Sequence, residues 1–342
     1  MQTQNLESQK RGKVDFILFM AIGLVLLIIF LAGSISFGAA NMDIATAWEA
    51  IIKFNPSVTE HQIIRTLRVP RTFGDIIVGA SLAVAGAIMQ GSTRNPLADS
   101  GLMGVNSGAA FAIAICLAFF PGGSYSNLSL FSFAGAGLGV GITYFIASLS
   151  KRGMTPQRLV LSGISISMLF SAMSSFIAIK YNIGQQLSYW SSGGVASVSF
   201  GELLVVLPWF VIGMILSIVL SPSITVLSLG EDVAKGLGQK TVFVKSVASI
   251  VVLILAGISV SIAGPIGFVG LIIPHMMRFL VGVDYRYIIP ASALYGAAFM
   301  VGADLFGRLI NKPYETPLGI MFSIIGVPFF LYISRKERRS FE

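Results

Sequence analysis

Closely spaced arginines in front of an apolar stretch are the residues of this chain whose chemistry is easiest to interpret. Arg65, Arg68 and Arg71 lie one helical turn apart, just before the apolar run from Phe73 to Gly91, and Asp75 follows Arg71 by four residues. An ionisable side chain at the rim of a membrane helix is costly unless a lipid headgroup or a partner uses it. Two interpretations therefore stay open: interfacial anchoring with local pairing, or an exposed basic rim that receives acidic residues of an external protein.

A distant arginine has a similar arrangement. Arg308 lies at the end of a later apolar stretch, and Asp304 precedes it by four residues, which is the spacing of an ion pair on one helix. The sequence therefore offers Arg308 as a further basic group for the same anchoring or docking role.

Another apolar stretch carries hydroxyl groups instead of charges. Its serines follow the i, i+4, i+7, i+8 pattern of a single helix face, and they are Ser167, Ser171, Ser174 and Ser175. Uncharged hydroxyls suit a path for a bulky polar solute, and serine is equally typical of close helix packing. Both interpretations remain open from this segment alone.

Other kinds of chemistry lack their residues. The segment Gly238–Thr241 has no glycine-rich phosphate loop and no preceding strand, so a separate subunit would have to bind any ATP. The two histidines, His61 and His275, do not have the spacing of metal ligands. The helix centres carry essentially no ionisable side chain and no nucleophile–base pair, which disfavours an ion-coupled carrier and an intramembrane enzyme. We expect no enzyme activity, no metal and no cofactor.

Composition defines the elements that must position these residues. The chain has 342 residues, of which 55% are hydrophobic and 11% are charged, and its mean hydropathy is +0.84. A soluble domain carries roughly 25% charged residues, so the sequence predicts an all-α integral membrane protein. The single cysteine, Cys116, lies in an apolar run and rules out a disulfide framework within the chain.

Ten apolar stretches are long enough to cross a bilayer as helices. We predict them at residues 15–37, 72–91, 103–120, 129–149, 159–180, 203–220, 242–263, 266–281, 288–305 and 318–334. The domain organisation predicted from them is an N-terminal cytoplasmic tail (1–14), one transmembrane domain (15–334) and a C-terminal cytoplasmic tail (335–342).

Positive charge is distributed unevenly between the two sides of these helices. With a cytoplasmic N-terminus, 16 of the 23 Lys and Arg residues fall in cytoplasmic segments and 7 in external ones. The positive-inside rule therefore predicts that both termini are cytoplasmic. The net charge of +8 suits anionic lipids and requires no nucleic acid. Arg68, Arg71 and Arg308 belong to the external minority.

A short polar segment separates the sixth and seventh stretches. Glycines bracket a predicted helix whose acidic start and basic end match the helix dipole, formed by Gly230, Glu231, Asp232, Val233, Ala234, Lys235, Gly236 and Leu237. Such a helix could transmit force from a soluble motor, although an ordinary amphipathic connector has the same composition.

Ordered motifs along nearly the whole chain resemble the permeases of bacterial ABC importers for iron-siderophores, haem and cobalamin, known as the FecCD/BtuC type. Among these motifs are Arg68-Val69-Pro70-Arg71-Thr72, Asn95-Pro96-Leu97-Ala98-Asp99, Leu229-Gly230-Glu231, Gly264-Pro265-Ile266-Gly267-Phe268 and Pro317-Leu318-Gly319. The resemblance implies a type II ABC importer permease architecture with about ten helices, as a multi-pass protein of the bacterial cytoplasmic membrane.

The resemblance also implies partners and site residues. The permease would form a homodimer, or a heterodimer with a paralogous permease, on two cytoplasmic ATPase subunits. An extracytoplasmic siderophore-binding protein or lipoprotein would dock through its glutamates on Arg68, Arg71 and Arg308. The segment at about 230–238 would be the coupling helix seated on the ATPase. The fifth helix would line the path, with a gate near Thr155, Pro156 and Gln157, where relatives commonly have hydroxylated residues.

The implied function is import of an iron(III)-siderophore complex, powered by ATP hydrolysis on the partner subunit. Haem and cobalamin are alternative substrates within the same family. An ion-coupled secondary transporter is the alternative from another class.

Overall fold

The computed structural model describes residues 2–38, 42–99, 101, 104–120, 122, 125–149, 156–312 and 314–338. All the regular elements in these ranges are helices. They are α1 (Gln2–Ser36), α2 (Ile44–Ile52), α3 (Thr59–Ile63), a π-helical turn (Ile64–Arg68), α4 (Val69–Thr93), α5 (Val105–Phe119), α6 (Tyr125–Ser148), α7 (Pro156–Lys180), α8 (Gly184–Ser191), α9 (Phe200–Ser228), α10 (Glu231–Gly236), α11 (Thr241–Ala263), α12 (Val269–Val281), α13 (Tyr285–Ile310) and α14 (Leu318–Arg338).

Seven helical segments of this part of the chain are long and apolar enough to cross a membrane, and three shorter apolar helices accompany them. The shorter ones are α5, α12 and the apolar part of α14. Each of the ten predicted stretches overlaps one of these helices. The sequence did not predict α2, α3 and α8, because these helices are too short to give a membrane-length apolar run.

Helix α4 forms the centre of the bundle and is buried along most of its length. Small residues let other helices approach its backbone closely. A Cβ added at Gly79 would collide with the Gly296 carbonyl of α13, and one at Gly86 would collide with the Gly270 carbonyl of α12. The small residues of α4 therefore allow the backbones of α12 and α13 to pack directly against it.

The peripheral helices present apolar side chains outward. Among the seven candidate spans of the described residues, the apolar window of α1 has the highest hydropathy, yet only 6% of it is buried within the chain. Phe176 and Ile179 of α7 and Val219 of α9 are also exposed. Such surfaces are stable against lipid tails or a second protein and not against water.

Proline shapes the entry into α4. Pro70 has no N–H and cannot donate to the preceding turn, and the Val69 N–H bonds to the Ile64 carbonyl, five residues back. In this π-helical turn Arg65 and Arg68 have different environments. Arg65 stacks over the Phe54 ring at 4.4 Å and is exposed, whereas Arg68 is buried.

Candidate functional site

Two charged clusters lie at opposite ends of α4. The arginine cluster consists of Arg68, Arg71, Asp304, Arg308 and Glu315, and it gathers around the first turn of α4. At the other end, Arg94 follows α4 and lies beside Gly230. Its Nη1 is 3.9 Å from the position that a Cβ added to Gly230 would occupy. Gly230 immediately precedes α10. The 25 residues of α4 span about 37 Å as a helix, somewhat more than the ~30 Å of bilayer hydrocarbon.

Arg68 binds the carboxyl end of α1. Its Nη1 donates to the carbonyl oxygens of Ile35 at 2.8 Å and Ser36 at 3.0 Å. The last carbonyls of a helix have no partners within the helix and carry partial negative charge, so a buried guanidinium stabilises them. Arg68 is only 6% exposed.

Arg308 makes a second connection to the same end of α1. Its Nη2 donates to the Ser34 hydroxyl at 2.6 Å and pairs with Asp304 Oδ2 at 2.9 Å. The Thr72 hydroxyl donates to the Arg68 carbonyl at 2.8 Å, so Ser34 must donate in its 2.7 Å bond to Thr72. The continuous network joins α1, α4 and α13. It confirms the Arg308–Asp304 pair expected from the sequence.

Arg71 connects this buried network to the surface. Its Nε and Nη2 donate to the two carboxylate oxygens of Asp304, at 3.0 and 2.7 Å. Its Nη1 donates instead to Glu315 Oε1 and Oε2, at 3.0 and 2.8 Å. The side chain of Arg71 is 12% exposed, that of Asp304 is 1% exposed and that of Glu315 is 37% exposed.

Asp75 does not have the role that its spacing suggested. The sequence offered it as the helical partner of Arg71, but Arg71 is hydrogen-bonded to Asp304 and Glu315. Asp75 is fully buried, and neither of its carboxylate oxygens has a hydrogen bond within the described part of the chain. The physical reason is that Asp304 offers both of its oxygens to the planar guanidinium fork of Arg71.

The second charged cluster, called the α10 cluster, consists of Glu231, Lys235 and Lys245. It fixes the short helix predicted between the sixth and seventh spans. Gly230 precedes α10 with φ +139°, a conformation that side chains rarely adopt, and Leu237 follows it. Glu231 pairs with Lys245 of α11 at 2.5 Å and with Lys235 of its own helix at 3.0 Å. The hydrogen bond from Lys245, which has the largest effect, and the one from Lys235 lower the pKa of the Glu231 carboxyl below its ordinary value. Ala234 is buried against the bundle.

The outer side of α10 is exposed. Val233 and Leu237 are large apolar residues on this surface, and Asp232, Lys235 and Gly236 are exposed beside them. An exposed apolar pair within a charged surface is typical of a protein contact. The segment predicted as a coupling helix is therefore a helix held by α9 and α11 with a free outer side.

The serines of α7 do not share one environment. Ser167 bonds to Ser107 of α5 at 3.1 Å, and Ser174 is buried with its hydroxyl on the Phe170 carbonyl. Ser171 and Ser175 are exposed. Of the predicted gate residues, Thr155 lies outside the described residues, and Pro156 and Gln157 begin α7.

Sequence reasoning missed three partners of these clusters: Ser34, Lys245 and Glu315. Glu315 is 244 residues from Arg71 along the chain, and no periodicity connects the two. One signal existed, because Glu315 lies in the same predicted external segment as Arg308. Counting acidic as well as basic residues on that side would have found it.

Comparison with known proteins shows the family. Residues 25–336 match the FecCD transport family. The chain is 52% identical to the Bacillus subtilis iron(3+)-hydroxamate import system permease protein FhuB, over 94% of this chain and 84% of that protein. It is 44% identical to the Bacillus subtilis Fe(3+)-citrate import system permease protein YfmD, over 97% of this chain and 98% of the relative.

A solved structure has the same fold. It is a metal-chelate type ABC transporter in an inward-facing conformation, matched with a TM-score of 0.80 and 29% identity over 93% of this chain and 98% of that one. The family match covers most of the chain. Of the motifs that carried the resemblance, Arg68-Val69-Pro70-Arg71-Thr72 lies in the arginine cluster and Leu229-Gly230-Glu231 lies at the start of α10. The chain belongs to the FecCD transport family.

Proposed function

We propose that this chain is the transmembrane permease of an ABC importer that brings an iron(III)-siderophore complex into the bacterial cytoplasm. The observation that carries the substrate class is the 52% identity with an iron(3+)-hydroxamate permease along nearly the whole chain. A hydroxamate siderophore is therefore the first candidate, and haem or cobalamin is the alternative. ATP is hydrolysed on a separate subunit, so the chain itself is not an enzyme.

In this proposal the chain crosses the cytoplasmic membrane ten times, with both termini in the cytoplasm. The seven long helices and three shorter apolar ones supply that number. The charge asymmetry of the connecting segments supports the orientation. Residues 1–14 and 335–342 would then be cytoplasmic tails, although α1 already begins at Gln2. This orientation places the arginine cluster outside and α10 inside.

Helix α10 is proposed as the contact with the cytoplasmic ATPase. Its exposed Val233 and Leu237 offer apolar surface, and the Glu231–Lys245 pair fixes it to α11. A movement imposed on α10 would pass directly into the membrane helices α9 and α11, because α10 packs on both. Such direct packing is what coupling of ATP binding to helix tilt requires.

The arginine cluster is proposed as the docking site of the extracytoplasmic binding protein. Its geometry supports different roles for the three arginines. Arg71 reaches the surface through Glu315, whereas Arg68 and Arg308 are buried and both hold the carboxyl end of α1. A carboxylate of the binding protein would meet Arg71 first, and the positive charge of the other two would add to the attraction. Such charge pairs contribute association rate and specificity more than affinity.

Helix α7 is proposed to line the translocation path between this chain and a second permease copy, identical or paralogous. Its exposed side combines Ser171 and Ser175 with Met168 and Met173. Hydroxyl and thioether groups give a bulky chelate weak and exchangeable contacts. The gate would lie at the start of α7, near Pro156 and Gln157, with Thr155 preceding them.

Reconstituted uptake tests the proposed function. The permease is placed in liposomes with its ATPase and supplied with the binding protein loaded with radioactive iron in a ferric trihydroxamate. We expect iron to accumulate inside the liposomes only when ATP is present on the side of the membrane that carries the ATPase. This accumulation should not require a proton gradient. Uptake that needs the gradient and not ATP would support a secondary transporter. Transport of haem or cobalamin with no iron chelate uptake would favour the alternative substrates.

A further inference from the structure

We infer that Glu315 is a built-in competitor for the docking carboxylate: it occupies Arg71 in the undocked permease and is displaced when the binding protein arrives. This inference rests on the proposed docking function and adds to it an internal ligand of the same chemistry as the partner's. The arrangement would make docking an exchange of one carboxylate for another on a single guanidinium.

The division of the Arg71 hydrogen bonds supports an exchange at one position. Nε and Nη2 are taken by Asp304, which is buried and shared with Arg308. Nη1 donates only to Glu315 among the described residues. Removing Glu315 would therefore uncover Nη1 while Asp304 kept the guanidinium plane in its present orientation.

Glu315 is also the more easily displaced of the two acids. It lies between α13 and α14, where residues 314–317 are not helical, and its side chain is 37% exposed. A solvent-exposed ion pair is worth little because water solvates both charges nearly as well. Asp304, in contrast, is 1% exposed on a central helix and has no solvent to move into.

The loop that carries Glu315 is anchored in place. The Thr316 N–H bonds to the Gly307 carbonyl at 3.1 Å, one residue from Arg308. This bond keeps the Glu315 backbone next to the end of α13, while its long side chain can rotate away. The Glu315 carboxylate would thus return to Arg71 once the carboxylate of the binding protein leaves.

The electrostatic consequence is that the acids of the arginine cluster offset part of the positive charge of its arginines. Asp304 contacts both Arg71 and Arg308, and Glu315 adds a second carboxylate on Arg71, so these two acids offset two of the three guanidinium charges. A partner carboxylate approaching Arg71 first meets the negative Glu315. Once Glu315 rotates into solvent and the new carboxylate binds, the balance around Arg71 is restored.

Binding measurements on the assembled complex test the exchange. The permease with its ATPase is held in lipid nanodiscs, and the probe is the iron(III)-hydroxamate-binding protein of the same organism, loaded with a ferric trihydroxamate. We expect Glu315→Gln to tighten binding by up to about fivefold, as removal of an exposed competing ion pair should. Glu60→Gln is the matched control, because Glu60 is an exposed acid of α3 at the same end of α4.

Combination with Arg71→Gln separates the exchange from the docking function. The Glu315→Gln effect should disappear in the Arg71→Gln background, whose own binding should be weaker than wild type. Unchanged or weaker binding by Glu315→Gln, an equal gain from Glu60→Gln, or a gain that persists without Arg71 would overturn the exchange alone. If Arg71→Gln binds like wild type, or wild type does not bind the probe, the docking function fails and the exchange with it. Co-elution of each variant with the ATPase shows that the complex is intact.

Discussion

The arginine cluster and the α10 cluster are both built from ion pairs, but they differ in what surrounds those pairs. At the arginine cluster, Asp304 is 1% exposed and contacts two guanidiniums. At α10, Glu231 is 41% exposed and contacts two lysines. The first network is buried and links distant helices, whereas the second orients a small helix at the surface. The difference indicates that the same chemistry can stabilise the fold at one end and position a contact surface at the other.

The strongest test of this comparison is Asp304→Asn. The change leaves Arg71 and Arg308 without their shared charge in a buried site, and we expect it to lower the free energy of unfolding by about 3–5 kcal/mol. Thermal unfolding of the purified permease in detergent measures the loss. Asp75→Asn is the matched control, because Asp75 is buried nearby without a hydrogen bond among the described residues and should tolerate the neutral amide. Equal losses from both changes would contradict the central role of Asp304.

Arg68→Met should have the next largest effect. The change leaves the carbonyls of Ile35 and Ser36 without their donor, at a cost of about 1–3 kcal/mol in unfolding free energy. Arg65→Met is the control from the preceding turn, since Arg65 is exposed and stacks on Phe54, and its loss should cost less than about 1 kcal/mol. The same unfolding assay compares them, and a larger loss from Arg65→Met would refute the capping role of Arg68.

Changes at α10 should affect the partner and not the fold. Leu237→Asp places a charge on the exposed apolar surface, so we expect co-purification with the ATPase to fall sharply while the unfolding midpoint stays within a few degrees of wild type. Lys240→Gln, an exposed change outside α10, serves as the control. Full ATPase recovery with Leu237→Asp would remove the basis for the proposed contact.

The smallest expected effect is the pH dependence of the Glu231 pairs. Because its pKa is lowered in the folded chain, the pairs contribute fully above the ordinary glutamate value of about 4.3. Their contribution is lost as pH falls through the lowered value. The unfolding midpoints of wild type and Glu231→Gln should therefore differ at neutral pH and converge in acid. A difference that grows as pH falls would have the wrong sign for this account.

The sequence predicted what depends on local pattern. Apolar runs located the ten helices, bracketing glycines located α10, and four-residue spacing identified the Arg308–Asp304 pair. The same spacing failed for Arg71 and Asp75, because the better partner, Asp304, lies 233 residues away. The contacts of Arg71 with Glu315 and of Arg68 with α1 depend on how helices pack, and no spacing along the chain encodes them. Short helices such as α8 were missed because they cross no membrane.

The central claim is that the arginine cluster and α10 face opposite sides of the membrane, one toward a binding protein and one toward an ATPase. Single cysteines test it directly, in a chain whose buried Cys116 is replaced by alanine. Glu60→Cys marks the arginine end and Lys240→Cys marks the α10 end. With a membrane-impermeant maleimide, we expect labelling of the Glu60→Cys variant in intact spheroplasts and of the Lys240→Cys variant only after permeabilisation. The reverse pattern, or labelling of both variants in intact spheroplasts, would contradict it.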